Sequence, residues 1–125
     1  MAKYLLEANY LSKGINGLLK EGGTRRLEAV DELFDSLGGR VEAFYFVFGD
    51  RDAIIIGELP DNTSAAALAL RVNAAGVTTC KTTVLLTAQE IDNAVTKMST
   101  YRPPGFDAPY EVAKWEGEGG HLAPD

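Results

Sequence analysis

Between Arg40 and Leu59 the chain reads RVEAFYFVFGDRDAIIIGEL: two near-continuous apolar runs, Phe44 to Phe48 and Ala53 to Ile56, with Gly49, Asp50, Arg51 and Asp52 between them. Short apolar runs around a polar turn predict a β-hairpin. Neither run alternates cleanly. On the first, Val41, Ala43, Tyr45 and Val47 share one face and Phe44, Phe46 and Phe48 the other; on the second, Ala53, Ile55 and Leu59 oppose Ile54 and Ile56. A strand wetted on one side needs only one apolar face, so this hairpin belongs to a sheet that is dry on both. A chain of 125 residues supports one core, and its own helices suffice to cover one face of such a sheet. The second face is therefore expected to meet another copy of the protein or a ligand.

The rest of the chain has room for that sheet and little else. No apolar run approaches the roughly 20 residues that span a bilayer, and no membrane partner is expected. The start, MAKYLLEANY, lacks the basic region, apolar core and cleavage site of a secretory signal, so a cytoplasmic location is expected. One cysteine allows no intrachain disulfide and no cysteine-based zinc site. The net charge is −6, of which residues 105–125 carry −4: Asp107, Glu111, Glu116, Glu118 and Asp125 against Lys114. A nucleic-acid partner is not expected, because such binders concentrate basic charge on one surface.

Taken in order, Lys3 to Tyr10 alternates as a strand, with Tyr4, Leu6, Ala8 and Tyr10 opposite Lys3, Leu5, Glu7 and Asn9. Ser12 is a candidate cap for a short helix through Lys20, and Thr24 for a stronger one bearing Leu27, Val30, Phe34 and Leu37 at helical spacing. A single helix kinked at Gly22-Gly23 fits the same residues, and Gly38-Gly39 stops it. After the hairpin, Asp61 or Asn62 caps an alanine-rich helix to about Ala75, whose small side chains favour a close seat on the sheet. Val77 to Leu86 reads as a threonine-rich strand. Thr87 and Glu90 have the spacing of a capping box for a last helix through Ile91, Val95 and Met98.

This order predicts an α+β fold: a ferredoxin-like βαββαβ sandwich over residues 1–104, an antiparallel sheet with both main helices on one face, plus a terminal helix. The open face, apolar at the hairpin, predicts that two copies pair to form a dimeric α+β barrel. Residues 105–125 form an irregular Gly/Pro-rich acidic tail whose Phe106, Tyr110 and Trp115 suggest draping over a protein surface.

Several irregular pieces occur together: AKYLLEANY, GLLKEGGTRRLEAVDELFDSLGGRVEAFYFVFGDRDAIII, LPDNTSAAALAL, KTTVLLT and YRPPG. With these the chain resembles the GYD domain family of small bacterial proteins over most of residues 2–105. Where that family has Gly, one residue, then Tyr-Asp, this chain has Gly49-Asp50-Arg51-Asp52, so a role tied to the tyrosine does not carry over. The resemblance implies a ferredoxin-like, barrel-forming oligomer. It implies no particular substrate and no catalytic residue.

The residues suggest two candidate sites. Glu7 and Asn9 on the first strand and Lys81 on the last fall on neighbouring antiparallel strands of the open face, where with Tyr45 they would line a barrel interior and hold a small polar ligand. The plainer account is a cross-strand ion pair at the surface. Thr24, Arg25 and Arg26, behind Gly22-Gly23 at a helix start, suggest an anion site, although no P-loop spacing follows and the plainer account is a helix break with ordinary caps. Asp50 and Asp52 read as a polar turn with a local salt bridge rather than a metal site, and His121 stands alone in the tail, so no metal and no cofactor are expected. Cys80 reads as a buried, inert thiol.

Tyr101 and Arg102 read as an anchor for the chain's exit from the last helix. The expected function is a homo-oligomer binding a modest organic molecule in its barrel. The alternatives are a cofactor-free oxygenase or isomerase on the same fold, by analogy alone, and a structural oligomer without ligand.

Overall fold

Alternation at the start of the chain produces strand β1, Ala2–Tyr10, with Tyr4, Leu6 and Ala8 buried and Lys3, Leu5, Glu7 and Asn9 half-buried on the other face. The computed structural model describes residues 1–106. The chain divides into two compact units, Met1–Thr87 and a second from Ala88 onward. In the first, β1 is followed by helices α1 (Ser12–Glu21) and α2 (Gly23–Ser36), strands β2 (Arg40–Phe46) and β3 (Ala53–Leu59), helix α3 (Asn62–Ala74) and strand β4 (Thr78–Leu85). The strands form one antiparallel sheet in the order β2-β3-β1-β4, an arrangement compatible with the expected ferredoxin-like fold. The second unit holds helix α4 (Ala88–Val95). The expectations for the tail beyond Phe106, including Tyr110, Trp115 and His121, fall outside the described residues.

The core lies between the sheet and helices α2 and α3: Tyr4, Leu6, Phe34, Ile55, Leu59, Ala65 and Leu68 form one buried cluster. Tyr4, Phe34, Leu59 and Leu68 are the largest fully buried side chains, each contributing roughly 1.5–3 kcal/mol by leaving water. The Tyr4 hydroxyl donates to Asn62 Oδ1 at 2.7 Å, tying the middle of the core to the first turn of α3. Phe34 lies against Gly57 in β3, where a methyl group would meet the ring.

The hairpin departs from simple alternation. Val41 pairs with Gly57 but Ala43 pairs with Ile56, so the register shifts at Glu42. A bulge of one residue exchanges the faces on its two sides. Val41 therefore joins Phe44 and Phe46 on the helix-covered face, and only Ala43 and Tyr45 share the open face with Ile54 and Ile56. The expected grouping of Val41 with Ala43, Tyr45 and Val47 is corrected accordingly. β2 also ends at Phe46. Val47 N–H donates to Asp52 O at 3.0 Å to close the turn, and Phe48 is fully exposed.

Helix ends differ from expectation for local reasons. α1 starts at Ser12 with Leu11 in the cap position, whose N–H donates to Val77 O at 2.9 Å, so Ser12 is helical and caps nothing. The chain breaks at Gly22, φ 82°, a left-handed conformation that favours glycine. α2 therefore opens at Gly23 with Thr24 already inside its first turn and no side-chain cap. Asp61 caps α3 as expected, accepting from Ser64 N–H and Ser64 Oγ–H, both at 2.8 Å. α4 ends at Val95, before Met98, where the Thr96 hydroxyl donates to Asn93 O at 2.7 Å and tightens the turn.

Candidate functional site

With the bulge accounted for, the register places the open-face residues in rows across the sheet. Ala43, Ile56, Leu5 and Thr83 form one row, and Tyr45, Ile54, Glu7 and Lys81 the next. At one end stands a charged row, Arg40, Glu58 and Lys3, with Leu85 beyond it. Two ion pairs neutralise that row, Arg40 Nε to Glu58 Oε1 at 3.0 Å and Lys3 Nζ to Glu42 Oε2 at 2.9 Å. Glu42, the bulged residue, thus reaches its partner on β1. The arginine hydrogen bond holds the Glu58 carboxyl below its ordinary range. The middle of the face is an apolar band with a balanced polar border.

Glu7 lies at the other border. The register sets Lys81 opposite it, as expected from the sequence, yet the partner it takes is Arg51, whose Nε donates to Glu7 Oε2 at 3.4 Å. The guanidinium reaches back from the hairpin turn across β3 to β1, so the expected local salt bridge within Asp50-Arg51-Asp52 does not form. Asp52 is occupied elsewhere: its carboxylate accepts from Tyr10 N–H at 2.8 Å and its own N–H donates to Ala8 O at 2.9 Å, extending the pairing of the hairpin with β1. Lys81 is exposed and makes no ion pair among the described residues. Asn9 follows Glu7 on the same face, opposite Thr79.

Tyr45 is 69% exposed on edge strand β2. Three strand spacings separate it from Lys81, about 14 Å between backbones. Glu7, Lys81 and Arg51 therefore gather at one place while Tyr45 stands across the sheet from them. Arg51 is the member that sequence reasoning missed. Its position in a turn next to two aspartates pointed to a short-range partner, and only the three-dimensional fold brings Glu7 within reach.

The proposed anion segment is arranged differently from expectation. Thr24 and Arg25 are exposed, and Arg26 pairs with Glu21, Nε to Oε2 at 3.2 Å, across the α1–α2 break. The N–H does not point along that line: Arg26 Nε is shielded from solvent without a hydrogen bond. The three residues form no common cradle. Among the described residues no three acidic, histidine or cysteine side chains cluster at metal-binding spacing, and no helix is long and apolar enough to cross a membrane.

On the helix-covered face the helices α2 and α3 stand apart and leave a cavity of about 200 Å³. Its floor is Leu6, Ala8, Ile55 and Cys80; Ala29, Val30 and Leu33 of α2 form one wall and Leu68 and Val72 of α3 the other. Tyr10, Arg26 and Thr78 supply its polar atoms. Burial pushes the Cys80 thiol and the Tyr10 phenol up from their ordinary values, keeping both protonated at neutral pH. Sequence patterning could not reveal this cavity, because every apolar residue in it reads equally well as core.

Comparison with known proteins places the GYD domain model on residues 4–95. Neither a curated protein nor a solved structure matches the chain significantly.

Proposed function

Because the chain belongs to the GYD domain family, we propose that it acts as a cytoplasmic homo-oligomer, two copies pairing their open sheet faces in an α+β barrel that binds a small organic molecule. One observation carries this reading: the face away from α2 and α3 presents Leu5, Ala43, Tyr45, Ile54 and Ile56 as a continuous apolar band. A second copy brings a like band, and a twofold contact matches the two. The Glu7–Arg51 pair, Asn9 and Lys81 border the band and supply the polar groups that orient a bound molecule. Glu7, committed to a guanidinium, serves better as part of a binding surface than as a general base, so a binding role is preferred to the oxygenase or isomerase reading.

Light scattering of the purified chain and its Ile56→Lys variant tests the assembly. The expected result is a dimer or a multiple of it at 20 µM for the parent and a folded monomer for the variant. A monomeric parent overturns the barrel. Lys81→Met then tests the site: co-purifying small molecules seen by native mass spectrometry should be lost, and their retention removes Lys81 from it.

A further inference from the structure

Protein interiors are close-packed and voids wider than a water molecule are few, so the gap between α2 and α3 needs an occupant or a reason. Its size suits one ring. An apolar cavity of about 150 Å³ is enough to admit benzene, and this one measures about 200 Å³. A second observation concerns the polar atoms. Arg26 lines the cavity, and its Nε donor is out of solvent yet unmatched, since the Glu21 carboxylate 3.2 Å away lies off the N–H direction. Buried donors are nearly always satisfied, and an exception calls for an explanation.

We propose that the cleft between α2 and α3 binds a monocyclic aromatic carboxylic acid, its ring among Leu6, Val30 and Val72 and its carboxylate on Arg26. A carboxylate entering from the cavity can meet the guanidinium in the paired geometry that Glu21 does not achieve. It takes the place of the Glu21 carboxylate, which turns out to water and is left solvated without a partner, at little cost for an ion pair near the surface. The Tyr10 phenol, kept protonated by burial and close enough to Arg26 to feel its charge, offers a second donor. The site lies within one chain on the opposite face from the proposed dimer contact, so either can fail without the other.

The test uses the full chain with sodium benzoate as the probe and benzamide as its neutral isostere, followed by methyl NMR and by alkylation of Cys80, the chain's one cysteine, which lines the cleft. Expected are saturable shifts of the Val30, Leu33, Leu68 and Val72 methyls with benzoate, slower Cys80 alkylation at saturation, and at least tenfold weaker binding of benzamide. Arg26→Met should weaken benzoate at least tenfold. Glu21→Gln, which removes the competing carboxylate, should tighten it about threefold or more, an effect that a merely structural Arg26–Glu21 pair does not produce. The proposal is overturned if 20 mM benzoate moves none of these methyls, or if benzamide binds equally well. Unchanged or weaker benzoate binding by Glu21→Gln also overturns it, and that variant decides the matter should Arg26→Met fail to fold.

Discussion

At Gly57 the core is tightly specified by a buried ring, and Gly57→Ala is a direct probe of that contact. The residue lies mid-strand in β3, paired with Tyr4 on one side and Val41 on the other. An added Cβ meets Phe34 Cε2, stands 2.9 Å from Arg40 O and 3.0 Å from Phe34 Cδ2. Phe34 is fully buried, and its only room to give is toward the cavity between α2 and α3, which it also lines. Overpacking of this kind costs about 1–3 kcal/mol, while replacing a strand glycine returns about 0.5–1 kcal/mol of backbone entropy. The net expectation is a loss of roughly 1–2 kcal/mol. In a unit of this size that lowers Tm by roughly 5–15 °C. Urea unfolding of Gly57→Ala, Phe34→Leu and the double variant separates the ring contact from the backbone contact. Removing the ring should recover about 1 kcal/mol of the alanine's cost, with the rest due to Arg40 O, which does not yield. If Gly57→Ala stabilises the protein, or costs the same with and without the Phe34 ring, the packing argument is wrong.

Two further outcomes follow from single contacts. Tyr4→Phe keeps the buried ring and removes only the hydroxyl that donates to Asn62 Oδ1, so chemical denaturation should show a loss of about 0.5–1.5 kcal/mol; a loss above 3 kcal/mol would mean the core rearranges. Asp61→Ala removes the cap of α3 and should lower Tm by a few degrees at pH 7. The Ser64 N–H, and after it the Ser64 hydroxyl, hold the Asp61 carboxyl below its ordinary value. A depressed carboxyl stabilises the fold above the unfolded-state pKa of about 3.9. The Tm difference should therefore be complete at neutral pH, shrink below that value, and close once the folded carboxyl is protonated; a difference that persists there refutes the cap.

Much of this arrangement is legible in the residues because the strands follow short-range rules. Alternation in β1 assigned Tyr4, Leu6 and Ala8 to one face and Glu7 and Asn9 to the other, and Asp61 announced the start of α3. The sheet order then set Lys81 opposite Glu7. What sequence reasoning missed depends on contacts between distant positions. Glu42 carries no glycine or proline to mark a bulge, and it becomes the extra residue where β2 must both match β3 and place Phe44 and Phe46 on the core side. Arg51 and Glu7 are 44 residues apart, and no local pattern distinguishes that pair from one within the turn.

The two candidate sites have a common physical origin in the size of side chains on opposite faces of one sheet. On the open face, Leu5, Ile54 and Ile56 are half-buried and form the apolar band proposed to pair with a second copy. On the covered face the alanines of α3 let the helix settle close to the sheet, with Ala65 buried against it, while Leu68 and Val72 form its wall of the gap. Ala29 of α2 and Ala75 beyond α3 both line the gap, where larger residues would have closed it. A sequence selected only for stability would fill the space at Ala29, since each buried methylene contributes about 0.8 kcal/mol. The room beside Ala29, with Arg26 at its edge, is the room that the proposed ring and carboxylate would occupy.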